Sequence, residues 1–253
     1  MSTQNQISLM SLFEVGTHRG NRRSRLNPAL KPYIYGISSG LCLIDLAQTK
    51  QAVERAEELV FKLGQKKRQI LLVGTSKHVA SLTPEYAGKF SNGGMPYVNN
   101  RWLGGLLTNW STIKQTLKHK AKLEKVKADE SFFHALARNE QLRIDRELAK
   151  LEATFGGLSN LKSNRPGAVL LLDALNDPVA IREATTMNVP IISLTNTSTL
   201  VLPPDLRYAV VANTNSVNAV RLILERLVDS YNRGLAEAVE VPKEEKPHNK
   251  PNN

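Results

Sequence analysis

The residue types in this chain that could do chemistry are mostly cations, and their spacing suits phosphate. No acid occurs between Glu14 and Asp45, and the segment from Gly16 to Gly36 carries Arg19, Arg22, Arg23, Arg25 and Lys31. A guanidinium offers a planar fork of donors that matches two phosphate oxygens, and it stays charged at any physiological pH. A second concentration is Lys114, Lys118, Lys120, Lys122, Lys125 and Lys127 against one acid, Glu124. A lysine-rich helix face is often only solvated; here the imbalance of charge favours phosphate contact. Gly, Asn and Pro punctuate the first run and argue against regular structure for most of it, predicting an irregular arm that follows a nucleic-acid contour.

Catalytic patterns are weaker. Neither G-x-x-x-x-G-K-[ST] nor G-x-G-x-x-G occurs, and Gly74-Thr75-Ser76-Lys77 is only a faint echo of a phosphate-binding turn. His18, His78, His119, His134 and His248 share no metal-ligand spacing. Cys42, the single cysteine, lies in an expected strand and reads as a buried thiol, not a nucleophile. Asp173 and Asp177 fall at a strand end and a helix cap, a common structural use. No catalysis, no metal and no cofactor are expected.

The totals agree with a nucleic-acid partner. The chain has 253 residues, 41% hydrophobic, with a net charge of +11. That excess points to a polyanion. No apolar run approaches the roughly 20 residues of a membrane span, and the first residues carry no basic cluster ahead of an apolar patch, so neither a membrane nor a secretory route is expected. One cysteine excludes an internal disulfide and fits a reducing compartment.

The elements that must position the cations alternate at first. Residues 8–15 suit a short amphipathic helix, and 34–35 with 41–44 a hairpin. Asp45 is expected to cap a helix to about Leu63 that Gly64 stops. Ile70-Leu71-Leu72-Val73 has the unbroken apolar pattern of a buried parallel strand. A helix should follow from about Ser76, distorted near Pro84, and then a strand ending at Tyr97-Val98. From Asn109 to about Phe155 the alternation stops. Ile144, Leu148, Leu151, Phe155 and Leu158 recur at steps of four and three, answered loosely by Ile113, Leu117, Leu123 and Val126. Two antiparallel helical arms are expected, joined by a tip at 127–131. The strand–helix rhythm then resumes: strands at 168–172, 190–194 and 208–211, a helix capped by Asp177-Pro178, and a last helix from Ser216 closed by Gly234. The fold class is α/β, a Rossmann-like, mostly parallel sheet over 1–107 and 159–235 with an inserted helical hairpin at 108–158. Residues 236–253 should be a disordered tail.

Between the two regimes lies Gly93–Trp110, with both tryptophans and the pair Gly104-Gly105. It sits between a strand end and a helix start, where the hairpin's direction must be set within a few residues. Arg101, Trp102, Gly104, Gly105, Asn109 and Trp110 are therefore expected to act mainly as a structural pivot, with Thr108 or Asn109 capping the next helix and any RNA contact by Arg101 secondary.

The run Asn99 to Trp110 also resembles a signature of the bacterial-type S-two family of small-subunit ribosomal proteins. The resemblance extends to Gly16-Thr17-His18-Arg19-Gly20, Asn27-Pro28, Lys31-Pro32, Leu72–Thr75, Leu151-Glu152, Gly156-Gly157, Ile181–Ala184 and Val189-Pro190, in family order from residue 10 to about 234. It implies a structural constituent of the small subunit, binding small-subunit rRNA near the junction of head and body on the solvent side. It also implies neighbouring ribosomal proteins as partners, among them the messenger-binding protein built of OB-fold repeats, with no homo-oligomer. The hairpin implies a bacterial-type protein, cytoplasmic or of an organellar ribosome. A histidine-plus-acid metal site, which would use His18, is not expected because Thr195–Thr199 contains no acid. Two alternatives stay open on residues alone: a nucleotide- or S-adenosylmethionine-dependent RNA-modifying enzyme, and a free-standing RNA-binding regulator.

Overall fold

The computed structural model describes residues 7–238. A short helix, α1 (Leu9–Glu14), capped by Ser8, leads into β1 (Arg19–Arg22). Next come β2 (Ile34–Ser38) and β3 (Leu41–Ile44). These three form an antiparallel sheet in the order β1-β3-β2. Ser39 and Gly40, which join β2 to β3, both have positive φ, as the tight turn of a right-twisted hairpin requires.

The body follows: α2 (Leu46–Gln65), β4 (Ile70–Val73), α3 (Leu82–Lys89) and β5 (Tyr97–Val98). Then come the helices α4 (Trp110–Ala128), α5 (Glu130–Ala135) and α6 (Arg138–Phe155). The chain returns through β6 (Ala168–Leu171), α7 (Pro178–Thr186), β7 (Ile191–Thr195), β8 (Ala209–Val211) and α8 (Val217–Ala236). The five body strands are all parallel, in the order β5-β4-β6-β7-β8. This is a doubly wound sheet whose order reverses between β4 and β6. Successive strand side chains point to opposite faces, and both faces are buried. Leu72, Leu170, Ile192 and Leu194 pack under α2, α3 and α8. Leu71, Val73, Val169 and Leu171 pack under α7, Trp102, Leu106, Leu107 and the root of the helical hairpin. That double burial is why β4 and β6 read as unbroken apolar runs.

Several expectations need correction. The basic segment is not irregular: it holds β1 and two 3-10 turns, Arg23–Arg25 and Pro28–Tyr33. Asn27 caps the second, its Oδ1 accepting from the Ala29 N–H at 3.0 Å. The α3 helix starts at Leu82, after a run of turns, so Pro84 falls in its first turn, where no N–H partner is missed. The tip of the hairpin contains α5, so the second arm starts only at Arg138. Neither Gly64 nor Gly234 stops a helix. A Cβ on Gly64 would collide with the Tyr231 carbonyl, and one on Gly234 with the Phe61 carbonyl. The two glycines let the backbones of α2 and α8 touch. The actual end of α2 is a Schellman pairing, Lys67 N–H to Gly64 O and Arg68 N–H to Leu63 O, with Lys67 at φ +51°. The tail expected at 236–253 lies almost wholly outside the described residues; α8 itself runs to Ala236.

Candidate nucleic-acid interface

The basic segment is a ribbon fastened along its length. Its β1 strand pairs with β3, and the Asn21 N–H donates to Thr197 Oγ1 at 2.8 Å. Asn21 Nδ2 reaches Ser198 Oγ at 2.6 Å, the Asn27 N–H reaches the Thr197 carbonyl at 2.9 Å, and Asn27 Nδ2 the Thr199 carbonyl at 2.8 Å. The polar loop after β7, which has no acid to offer, thus satisfies the backbone of the segment that has no acid either. Arg19, Arg22, Arg23, Arg25 and Lys31 all project outward, exposed and without an ion pair among the described residues. His18, beside them, stacks on Phe13 with ring centroids 4.4 Å apart. Burial, helped by the Arg19 charge, holds its pKa below the ordinary imidazole value. Among the described residues no group of three His, Cys, Asp or Glu could hold a metal ion. The Cys42 side chain is buried, and burial pushes its thiol up.

The hairpin lies at the other end of the sheet, by β5, where Gly157 packs against Tyr97. Its arms are antiparallel, as the cross-links Lys120–Glu152, His119–Glu147 and Lys127–Asp145 require. Lys114, Lys118 and Lys122 are exposed at four-residue spacing along one face of α4. Lys120 differs: only 4% exposed, it meets Glu152 at 2.6 Å, Glu124 at 3.1 Å and Ser159 Oγ at 3.1 Å. Its place three residues after Leu117, on the apolar side, was the signal in the sequence. Gln141 Nε2 donates to the Phe133 and Leu136 carbonyls and so ties α5 onto α6. The seam is buried at its root, at Ile113, Phe155 and Leu158, and half-buried farther out at Leu117, Leu123, Ile144, Leu148 and Leu151.

Between β5 and α4 the chain wraps around one carboxylate. Glu183 of α7, 8% exposed, accepts through Oε1 from Trp102 Nε1 at 3.0 Å and the Gly105 N–H at 2.8 Å. Its Oε2 accepts from the Leu107 N–H at 3.0 Å, the Thr108 N–H at 3.4 Å and Thr108 Oγ1 at 3.3 Å. Donors in that number are what a buried charge requires. In the sequence Glu183 stands out only as part of the run Ile181–Ala184, with no role of its own, although an acid between Ala180 and Ala184, both buried in this short helix, was a visible signal. Gly105 has φ +86°, which favours glycine. Gly104 does not, and a Cβ there would meet open space. The expected cap is also different. Asn109 stands at the N-cap of α4, but its Oδ1 accepts from the hydroxyls of Ser111 and Thr112 and not from the helix backbone. Trp110 packs its half-buried ring on the core around Trp102, and Arg101 is exposed.

Arg101 overlooks a cleft of about 480 Å³ lined also by Thr75, Asn100, Trp102, Asn176 and Asp177. It lies at the carboxyl ends of β4 and β6, where the strand order reverses and where open α/β sheets bind ligands. Its polar groups are largely committed to one another. Asp177 does not cap α7 with its side chain; its carboxylate accepts from the Thr75 hydroxyl at 2.9 and 3.0 Å. Asp173 is held by Thr214 and Asn176. Burial, with a contribution from the Asp173 charge, pushes the Asp177 pKa up to about 6 from 3.8. Between those values the folded state keeps a proton the unfolded chain has lost, so stability falls as pH rises through that window and the deficit is complete above it. Asp177→Asn is expected to stabilise the protein by on the order of 2–3 kcal/mol near pH 7.5 and by little near pH 4. Urea midpoints of both proteins at the two pH values check this; an equal difference at both would contradict it.

The family model described as ribosomal protein S2 matches residues 12–234. The small ribosomal subunit protein uS2 of Geotalea uraniireducens (strain Rf4) is 33% identical over 228 residues, covering 90% of this chain and 86% of that protein. The proteins of the same name from Rhizorhabdus wittichii and Parabacteroides distasonis are each 33% identical, over 250 and 232 residues, covering 94% and 92% of this chain and 97% and 81% of their own lengths. With a doubly wound sheet, a helical hairpin and a match over nearly the whole described chain, this protein belongs to the ribosomal protein S2 family.

Proposed function

We propose that this chain is a structural, non-enzymatic component of the small ribosomal subunit that binds small-subunit rRNA through its arginine ribbon and the lysine face of α4. Like its relatives it works in translation, as a single copy in the subunit and not as a homo-oligomer, in the cytoplasm or its organellar counterpart. The observation that carries the reading is the ribbon: five exposed cations, with no acid between them, on a backbone already bonded in place. Pre-ordering of that kind lowers the entropy lost on binding. Arg101, Trp102, Gly105 and Asn109 serve as the hairpin's pivot, with Glu183 at its centre. Contact with neighbouring proteins, including the OB-fold-repeat messenger-binding protein, is supported by an apolar recess of about 540 Å³ among Leu9, Met10, Phe13 and Tyr35. Those four side chains are all exposed. A nucleotide-dependent enzyme would use the cleft beside Arg101, but no observation favours it.

The test is affinity for a small-subunit rRNA transcript as a function of salt. Each of Arg22→Ala, Arg23→Ala and Arg25→Ala is expected to weaken binding and to lower the slope of log affinity against log salt by a little under one per lost phosphate contact. Unchanged slopes in all three would overturn the ribbon as an RNA contact.

A further inference from the structure

We infer that a second phosphate-binding recess lies at the amino edge of the sheet, where Lys67, Arg68, Lys162 and Arg165 receive an RNA backbone; this rests on the RNA-binding reading above. The recess, about 530 Å³, is lined by these four and by Gln69, Ser163, Pro166 and Gly167. No carboxylate lines it, all four cations are exposed, and none forms an ion pair among the described residues. It sits just before β4 and β6 begin, whereas the arginine ribbon is bonded to the loop after β7 ends. The two surfaces are therefore at opposite edges of the sheet.

The recess is prearranged. The Gly167 N–H donates to the Gln69 carbonyl at 2.7 Å, and the Gln69 side chain bridges the Asn160 carbonyl and the Lys162 N–H at 2.8 and 3.1 Å. Arg68 Nη2 donates to the Arg165 carbonyl at 3.2 Å, and the Tyr231 hydroxyl donates to the Arg68 carbonyl at 2.9 Å. Lysines at the end of α2 would complement the helix dipole in any protein. That does not account for Lys162 and Arg165, which arrive from a different loop. Nor does it account for Lys67 occupying φ +51° at a position where glycine is the usual residue. A lysine held in a backbone conformation that disfavours it points to a use for its charge.

Lys67→Gly separates the two roles. Glycine adopts that conformation freely, so the full-length variant is expected to melt at or above the wild-type temperature. Its affinity for the rRNA transcript is nonetheless expected to fall about three- to tenfold, and Lys162→Gln with Arg165→Gln should lower the salt slope by nearly two. Acetylation of Lys67 and Lys162, read by mass spectrometry, identifies the anion. Protection by the transcript supports the inference; protection only by inorganic phosphate, or only by phosphatidylglycerol vesicles, overturns it. Wild-type affinity and slope in the recess variants, while the ribbon arginine variants bind weakly, would also overturn it and leave the RNA-binding reading standing. Wild-type behaviour in both sets would remove both.

Discussion

Glu183→Gln is expected to destabilise the free protein by about 3 kcal/mol, before any RNA is present. The carboxylate accepts from three backbone N–H groups on Oε1 and Oε2 together, and from the Trp102 indole and the Thr108 hydroxyl. A glutamine keeps one acceptor oxygen. Its amide nitrogen must face either the Gly105 N–H and the indole or the Leu107 and Thr108 N–H groups, so donors meet donors. Buried N–H groups left unpaired cost about 1–3 kcal/mol each, partly recovered by relaxation. Trp102→Phe, which removes a single donor and leaves the carboxylate otherwise satisfied, is expected to cost about half as much. Urea unfolding of the three proteins checks the order. A Glu183→Gln variant within experimental error of wild type would mean that the 102–108 segment is held by its apolar side chains alone.

Phe155→Asp should be comparably severe, at about 3–4 kcal/mol. Phe155 is 9% exposed and packs with Trp102, Ile113 and Leu158 between the hairpin and the sheet. A carboxylate there would be taken out of water among apolar side chains. Leu148→Asp is expected to cost less than half as much, because Leu148 is half-buried and an aspartate can reach water. Circular dichroism melts should show the first variant losing helix at temperatures where the second is intact. Equal losses would mean that the seam is packed uniformly along its length, contrary to the burial gradient.

The fold was legible where one signal dominated. Ile70–Val73 and Ala168–Leu171 have too many consecutive apolar residues for a one-sided strand, and only a doubly covered sheet accommodates that. Boundaries failed where a residue type has two uses. Gly64 and Gly234 read as helix stops because glycine often ends helices, but here the missing Cβ serves the contact between α2 and α8. The arginine segment read as irregular because Asn and Gly break helices. The pairing of β1 with β3 joins residues about 20 positions apart, the bonds to Thr197 and Thr199 join residues roughly 175 positions apart, and no local pattern carries either. The same distance hid Glu183. Its acid could be seen in the sequence, but its donors lie 75 to 81 residues earlier in the chain.

The central claim, that this chain is a salt-sensitive structural component of the small ribosomal subunit, is tested most directly by sedimentation. A lysate of cells making the protein, resolved on a sucrose gradient at low ionic strength, is expected to place it with the small subunit. Raising the ionic strength to about 1 M, where the Debye length shrinks to about 3 Å, should release it to the top of the gradient. Finding the protein free at the top at low ionic strength, with intact small subunits elsewhere in the same gradient, would contradict the account.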